Sequence, residues 1–378
     1  MDRLIFYRGG SCNEVRVLEN LKKLISDVKV VEHKCSNYDA DAILAEKLFM
    51  LIHSAGAEAV FSLDYYPIIA EVCHTCGLPY ISWIIDAPHY TLYSTTSFYP
   101  ECRIFCFDAE EAARLTAMGR PGIFHMPLAA DPAYFSEHRE GAAEADISFV
   151  GSLYKNEHDY LDRQSGLTEY ELGFVNGLME AQSLLYGVSL AETVLTEELT
   201  GRLLKACGIS VPATYDLPER LLAANVLEKR LTVREREKYI KILGKSFGVT
   251  LYSDAELSAG GVEFMGYADY ETLMPSVFYK SRINLNLTLR SIHSGIPLRA
   301  LDIMGCGGFL LSSWQPELGE YFEEGKELAL FSSEEELLDK AGWYLSHEEE
   351  RQAVAAAGHG KVCREFTYEV MLGRMLKI

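Results

Sequence analysis

The sequence lacks an apolar run long enough to form a membrane-spanning helix. No stretch of its 378 residues approaches the roughly 18 apolar residues that crossing a bilayer requires. The first ten residues, MDRLIFYRGG, also lack the longer apolar core of a secretory signal peptide. The sequence therefore predicts a cytoplasmic protein without integral membrane association.

Positive charge is scarce. The chain has 35 lysines and arginines against 55 aspartates and glutamates, a formal net charge of -20. An acidic surface repels phosphate backbones and anionic lipid headgroups. This balance argues against nucleic acid and membranes as primary partners, although one basic pocket is compatible with a small phosphorylated ligand.

The cysteines lack the pattern of a disulfide framework. Nine of them, an odd number, lie in apolar contexts such as Phe105-Cys106-Phe107, which favours reduced, buried thiols. Cys73 and Cys76 form a CxxC pair, but no second pair has metal-ligand spacing. No Asp-x-Asp triad follows a predicted strand either, so we expect no metal and no cofactor.

The chain does contain the alternation of an α/β protein, and its length favours two domains. Short apolar strands alternate with amphipathic helices over the first 130 residues, as in a parallel sheet covered on both faces. This predicts a doubly wound, Rossmann-like domain over residues 1–135, with a linker at 127–144. Its strands are predicted at residues 4–7, 28–32, 59–63, 80–85, 103–107 and 122–125. Its helices are predicted at residues 14–25, 40–55, 67–76 and 109–118.

A second α/β domain is predicted over residues 145–365. A strand at 145–150 leads into Gly151 and Ser152, and residues 155–245 have the helical spacing of an insertion. Further strands are predicted at residues 248–252, 262–266, 282–287, 308–312 and 328–331. Helices are predicted at residues 333–345, 348–366 and 368–377.

The most informative segment, residues 295–312, reads GIPLRALDIMGCGGFLLS. A strand leads into a polar loop, and Pro297 suits the first turn of a helix, where its missing N–H leaves no bond unmade. Such a helix start binds anions through its N–H groups and its dipole. Arg299 can bind phosphate oxygens, and Asp302, on the same face, can accept hydrogen bonds from ribose hydroxyls. The segment therefore predicts a nucleoside-diphosphate site.

This segment resembles the donor-binding signature of GT-B glycosyltransferases, and it looks most like the bacterial, spore-maturation CgeB-like group among the group 1 glycosyltransferases. The resemblance implies two Rossmann-like domains facing a cleft, with the nucleotide sugar in the second. Asp302 stands where these enzymes place the second acid of an E-x7-E motif, which holds the ribose. Ser294 replaces the first acid, with His293 beside it, and Gly295 and Ile296 complete the expected donor loop.

Other donor contacts are expected at the ends of strands. Residues 262–267, VEFMGY, resemble the strand and loop around the nucleobase, so the backbone of Gly266 and Tyr267 is expected to read its edge. Gly151 and Ser152 are donor candidates because they follow the first strand of the second domain.

The loop at residues 8–11 follows the first strand of the chain. Its Gly10 amide is expected to face the donor phosphates, although a strand-to-helix turn also needs glycine for purely structural reasons. Residues 366–378 resemble the segment that leads a final helix of GT-B enzymes back onto the N-terminal domain.

The acceptor side is expected in the first domain. The segment WIIDAPH at residues 83–89 resembles the N-terminal domain of the CgeB-like group. Asp86 directly follows an apolar strand, where α/β sheets present ligand-binding groups, although an acid before Ala-Pro is also a common turn former. A base must take the acceptor proton in an inverting transfer. Asp86 is the first candidate for this base and His89 the second.

Together these features predict a metal-independent glycosyltransferase of the hexosyltransferase type. It would move a sugar from a nucleoside-diphosphate sugar to a protein, glycan or small-molecule acceptor. Two alternatives remain open, a nucleotide-sugar epimerase and a non-catalytic nucleotide-sugar-binding protein, the latter because Ser294 replaces an acid.

Overall fold

The computed structural model describes residues 1–155, 160–161 and 164–377, and the chain forms two compact units. The first unit comprises Met1–Ala129, Pro212–Leu217 and Phe366–Ile378, and the second comprises Ala130–Val211 and Pro218–Glu365. The sequence had ended its first domain at residue 135 and had assigned residues 212–217 to the insertion. The first segment of the first unit instead ends at Ala129, and Pro212–Leu217 belong to the first unit.

The first unit is built on a six-stranded, all-parallel sheet with strand order β2-β1-β3-β4-β5-β6. Its strands are β1 (Arg3–Arg8), β2 (Asp27–Glu32), β3 (Ala59–Leu63), β4 (Tyr80–Trp83), β5 (Cys102–Cys106) and β6 (Ile123–His125). Its helices are α1 (Glu14–Leu24), α2 (Ala42–Ala55), α3 (Pro67–Cys76), α4 (Ala109–Ala117) and α15 (Tyr368–Met375). The order reverses between β1 and β3, where open α/β sheets bind ligands.

Local sequence explains where these helices begin and end. The Asp41 carboxylate accepts the Leu44 amide 3.0 Å away at the start of α2, and Gly56 ends that helix with a φ of 58°. The final helix, α15, packs on α1, and Asn13 donates a hydrogen bond to the buried hydroxyl of Tyr368 over 3.1 Å. The end of the chain therefore belongs to the core of the first unit.

The second unit contains another six-stranded parallel sheet, ordered β12-β11-β10-β7-β8-β9. Its strands are β7 (Ala145–Val150), β8 (Val249–Tyr252), β9 (Val262–Gly266), β10 (Ser281–Asn286), β11 (Leu310–Ser313) and β12 (Ala329–Phe331). Counted within the unit, this is the 3-2-1-4-5-6 order of the Rossmann fold, which reverses between β7 and β10.

Helices cover this second sheet. They are α5 (Pro132–Glu137), α6 (Glu169–Ser183), α7 (Leu190–Val194), α8 (Glu197–Ala206), α9 (Glu219–Phe247), α10 (Met274–Lys280), α11 (Leu298–Gly305), α12 (Pro316–Tyr321), α13 (Glu334–Ser346) and α14 (Glu348–Glu365). Helices α6 to α9 form the insertion between β7 and β8. The 29-residue α9 contributes its buried side to the core.

The prediction of two Rossmann-like α/β sheets with a helical insertion is confirmed. The expectation of an irregular linker at residues 127–144 was wrong in part, because α5 begins within it at Pro132, capped by the Asp131 carboxylate. The expectation of buried thiols also holds only in part. The buried cysteines are Cys73, Cys102, Cys106 and Cys306, whereas Cys12 and Cys363 are exposed. No helix in the described part of the chain is long and apolar enough to cross a membrane.

Candidate functional site

The carboxyl ends of β7 and β10 define a candidate site in the second unit. These neighbouring strands pair in parallel and flank the point at which the strand order reverses. The loop after β7 begins with Gly151 and Ser152, and the loop after β10 begins with Leu287. Ligands of open α/β sheets bind in the crevice outside such a point.

Asp254, which no sequence motif indicates, anchors the loop after β7 through its carboxylate. Its carboxylate accepts the Ser152 hydroxyl over 2.8 Å and the Leu153 amide over 3.0 Å. Burial opposes ionisation of Asp254, but these hydrogen bonds keep its pKa below the ordinary value. The Ser152 hydroxyl is therefore directed at a protein carboxylate, whereas its carbonyl accepts a hydrogen bond from Arg236.

The loop after β10 is held by carboxylates from elsewhere in the unit. His293 lies 3.2 Å from the Glu228 carboxylate of α9, and both side chains are buried. The Ser294 hydroxyl donates to the Glu317 carboxylate of α12 over 2.8 Å. Ser294 thus lacks the acid expected from the E-x7-E pattern, but Glu317 brings a carboxylate to the same place.

Helix α9 braces this loop at a second point. The Arg290 guanidinium forms a bidentate pair with the Glu235 carboxylate, with contacts of 2.7 and 2.5 Å, and the Arg290 amide donates to the Thr232 hydroxyl over 2.9 Å. Glu228, Thr232 and Glu235 recur at helical spacing on one buried face. That recurrence is the only sequence signal that could have indicated this role of the insertion.

Helix α11 carries the two residues predicted to bind a nucleotide. Pro297 is its N-cap residue rather than a residue of its first turn. The Arg299 guanidinium lies 3.8 Å from one Asp302 carboxylate oxygen, as their i, i+3 spacing predicts. The other Asp302 oxygen accepts the Tyr270 hydroxyl over 3.0 Å. Ile296 is completely buried and Gly295 is also buried, so neither residue is open to a ligand in this structure.

Asp302 is more enclosed than the sequence suggested. Its side chain is 0% exposed, and its Oδ2 atom is buried without a hydrogen-bond partner among the described residues. Complete burial, opposed by the Arg299 charge and the Tyr270 hydrogen bond, raises the pKa of Asp302 to about 7. Contact with a ribose therefore requires a local rearrangement that uncovers Oδ2.

Gly266 is the last residue of β9, and Tyr267 follows it. Gly266 has a φ of 78°, which favours glycine, and its carbonyl accepts the Ser253 amide over 2.8 Å. The Tyr267 side chain is 71% exposed. An exposed ring beside a strand end offers a flat apolar surface for a planar group such as a nucleobase.

In the first unit, Asp64 lies beside Asp86, the predicted base. Asp64 follows β3 with a strained φ of 57°, and its carboxylate accepts the amides of Ile85 and Asp86 over 3.0 and 3.2 Å. Solvent reaches part of the Asp86 side chain. Even so, the protein atoms crowded around its carboxyl group and the Asp64 carboxylate raise the pKa of Asp86 to about 6.

His89 makes a structural contact. Its Nε2 atom lies 3.1 Å from the Tyr65 amide nitrogen and accepts that N–H, while its Nδ1 atom lies 3.8 Å from the Asp64 carboxylate. The nitrogen that faces Tyr65 is therefore occupied. Asp86 is the more available base of the two candidates.

The Gly10 amide also has a partner. It donates to the buried Glu14 carboxylate over 2.8 Å, and the Gly9 amide donates to the same oxygen over 2.6 Å. Glu14 thus fills the position in which the sequence placed a donor phosphate, and its negative charge disfavours a phosphate there. Within residues 1–155, 160–161 and 164–377, no group of three or more His, Cys, Asp or Glu side chains could hold a metal ion.

The two six-stranded parallel sheets with flanking helices match the GT-B fold of solved glycosyltransferases. Residues 226–377, which include α11 and the loop after β10 that α9 braces, match a protein-family model described as glycosyl transferase-like. No protein of curated function matches the chain significantly in sequence.

Solved glycosyltransferase structures share the fold along almost the whole chain. Sucrose-phosphate synthase from Thermosynechococcus elongatus has a TM-score of 0.56 at 10% identity, covering 100% of this chain and 98% of its own. Anabaena HepE in complex with UDP-glucose has a TM-score of 0.52 at 10% identity, covering 99% and 98%. A glycosyltransferase from Rickettsia africae has a TM-score of 0.51 at 10% identity, covering 100% and 97%. At these identities the likeness establishes the fold alone.

Proposed function

We propose that this protein is a glycosyltransferase that moves a sugar from a nucleoside-diphosphate sugar to an acceptor. The observation that carries the proposal is the position of α11. Its Arg299 and Asp302 follow β10, beside the reversal of strand order, inside the segment that matches the glycosyl transferase-like model. The complex of the similarly folded HepE with UDP-glucose supports a nucleotide sugar as the donor class.

In this proposal the second unit binds the donor. Arg299 neutralises the diphosphate, the Oδ2 atom of Asp302 accepts ribose hydroxyls once uncovered, and Tyr267 stacks on the nucleobase. Stabilising the departing diphosphate is the main catalytic contribution, because negative charge develops there as the glycosidic bond breaks. Since Arg299 supplies positive charge, we propose that transfer needs no metal ion and no cofactor.

The first unit takes the acceptor, with Asp86 as the base. Ionised Asp86 removes the proton of the attacking acceptor hydroxyl, and the neighbouring Asp64 tunes its pKa. The acceptor in this proposal is a protein, a glycan or a small molecule.

Product analysis with a panel of UDP-, GDP-, CMP- and dTDP-sugars tests the proposal. We expect one donor to release its nucleotide only when an acceptor is added, with the rate unchanged by EDTA. Conversion of the sugar without an acceptor would instead support an epimerase. Nucleotide binding without turnover, under any acceptor, would support a non-catalytic binding protein.

The role of Asp302 has its own test. Wild type should bind the best nucleoside diphosphate more tightly than its 2′-deoxy analogue, whereas Asp302→Asn should bind the two equally. Arg299→Gln should weaken both by the same factor, because it acts on the diphosphate. Equal ribose discrimination by wild type and Asp302→Asn would refute the assigned role.

A further inference from the structure

Arg236 of α9 spans the point at which the strand order of the second sheet reverses. Its Nη1 atom donates to the carbonyl of Ser152, after β7, and its Nη2 atom donates to the carbonyl of Leu287, after β10, over 2.6 Å. One guanidinium thus joins the two loops that frame the candidate donor site. No sequence pattern distinguishes Arg236 from the other arginines of the helical insertion.

The charge of Arg236 is buried without a matching carboxylate. The residue is 8% exposed, and no carboxylate in the described part of the chain lies within 4 Å of its guanidinium. Arg290 and Arg120, which are also buried, each pair with a carboxylate, Glu235 and Asp216 respectively. A buried charge that lacks a counter-ion is costly, so Arg236 is the exception that requires an explanation.

Two aromatic rings and a second positive charge, that of Arg299, surround the Arg236 guanidinium. The rings of Tyr154 and Phe149 lie 4.8 and 5.5 Å from its guanidinium carbon. Burial lowers the pKa of Arg236, and the like charge of Arg299 lowers it further, while Tyr154 and the more distant Asp254 act in the opposite direction. Two guanidinium groups therefore oppose each other at this edge of the sheet, an arrangement that an anion would relieve.

The hydrogen-bonding capacity of Arg236 is also incomplete. A guanidinium has five N–H groups, and neutral carbonyls accept two of them. The Nε atom is buried without a partner in the described structure. Phosphate oxygens accept such groups in short, charge-assisted hydrogen bonds.

We infer that Arg236 is a diphosphate-binding residue, which together with Arg299 neutralises the diphosphate of the nucleotide sugar. This inference rests on the proposed function. It assigns part of the donor site to the helical insertion: α9 both braces the donor loops and supplies one of the two positive charges. A charge on this rigid helix is fixed before the ligand arrives, which reduces the cost of ordering the site.

Calorimetric titration with inorganic pyrophosphate, and with UDP, GDP and ADP beside their nucleosides, tests this role. We expect Arg236→Gln to weaken pyrophosphate and the preferred nucleoside diphosphate by about 10- to 100-fold, while affinity for the matching nucleoside changes by less than about threefold. Arg234→Gln, a neighbouring and more exposed position on α9, removes the same charge and should leave every affinity unchanged.

The outcomes separate the two hypotheses. Equal loss of nucleoside and diphosphate binding in Arg236→Gln would assign Arg236 to loop bracing alone and overturn the inference. Pyrophosphate binding that depends on Arg236, without any nucleotide binding, would overturn the proposed function only. If wild type binds neither pyrophosphate nor nucleotide, both fail.

A conservative variant covers the case in which Arg236→Gln does not fold. Arg236→Lys keeps the charge but cannot reach both carbonyls, so it should retain pyrophosphate binding within about tenfold of wild type. Complete loss of pyrophosphate binding in a folded Arg236→Lys protein that still binds the nucleoside would overturn the inference.

Discussion

Two carboxyl groups with raised pKa values mark the two candidate sites at the scale of single residues. Asp302 and Asp86 have pKa values raised to about 7 and about 6, but for different uses. Asp302 is completely buried in the second unit, so its ionisation affects the free energy of unfolding. Asp86 is partly open to solvent, so its titration acts on a reaction at the surface of the first unit.

Asp302→Asn should stabilise the ligand-free protein above neutral pH. An acid whose pKa is about 7 when folded and about 3.8 when unfolded retains its proton only in the folded chain between these values. Wild-type stability therefore falls as pH rises from about 4 to 7, by roughly 4 kcal/mol at most, and asparagine removes this dependence. The Tm difference between variant and wild type should grow from pH 4.5 to 7 and then stay constant. A difference independent of pH would contradict the raised pKa.

Asp86 should give the transfer reaction a pH dependence of its own. A base must be ionised to accept a proton, so kcat/KM should rise with pH through about 6 and level off above it. Asp86→Asn should lower kcat by about 100- to 10,000-fold while leaving nucleotide affinity unchanged. Asp64→Asn removes the neighbouring charge and should shift the inflection to lower pH. A variant with near wild-type kcat would exclude Asp86 as the base.

Sequence reasoning succeeded with residues whose partners are local. The sequence predicts that Arg299 and Asp302 share one face of a helix. The Arg299 guanidinium and the Asp302 carboxylate lie 3.8 Å apart because the two residues are three positions apart on α11. The partners Tyr270 and Glu317 come from other elements, so no local pattern could reveal them. Glu14, by contrast, lies only four residues after Gly10, and its carboxylate accepts the amide that the sequence predicts to face a phosphate.

At the scale of elements, the long helix α9 of the insertion holds the loops after β7 and β10. Strands were predictable because both faces of a parallel strand are buried, as in the fully buried β3. The short helices α5, α10 and α12 escaped because each has six or seven residues, too few for a periodic pattern to emerge. The helical character of the insertion is predictable from its sequence. Its role is not, because that role depends on which loops the buried polar residues of α9 contact.

Glu235→Gln tests this bracing by α9. Removing the carboxylate leaves the Arg290 guanidinium buried without its counter-ion, which should destabilise the protein by about 3 kcal/mol or more. Donor affinity should also fall, because the loop after β10 loses an anchor. Glu237→Gln is the matched control, since Glu237 forms only partly exposed pairs, with Lys155 of the loop after β7 and Lys241 of α9, and the substitution should change stability by less than about 1 kcal/mol. Urea unfolding measures the stability of both variants. An equal loss of stability in Glu235→Gln and Glu237→Gln would contradict the bracing role.

At the scale of the whole molecule, the two compact units are interleaved in sequence. The chain leaves the first unit at Ala129, returns for Pro212–Leu217, and ends there with Phe366–Ile378. Arg120 binds the returning segment by pairing with Asp216. The stability of the first unit thus depends on residues far away in sequence, which the alternation of strands and helices could not indicate.

Tyr368→Ala should therefore destabilise the first unit although it lies near the end of the chain. The Tyr368 side chain is 1% exposed, its ring meets Trp83 edge-on at 6.0 Å, and its hydroxyl accepts a hydrogen bond from Asn13. Truncating a buried aromatic ring costs about 3 to 5 kcal/mol, whereas Tyr368→Phe, which keeps the ring, should cost only about 1 kcal/mol. Trp83 fluorescence during urea unfolding, recorded in a Trp314→Phe, Trp343→Phe background, reports on the first unit alone. If neither substitution shifted the urea midpoint of the Trp83 transition, α15 would contribute nothing to the stability of the first unit. A larger shift for alanine than for phenylalanine would show that α15 is part of the core of the first unit, the unit that contains the proposed base Asp86.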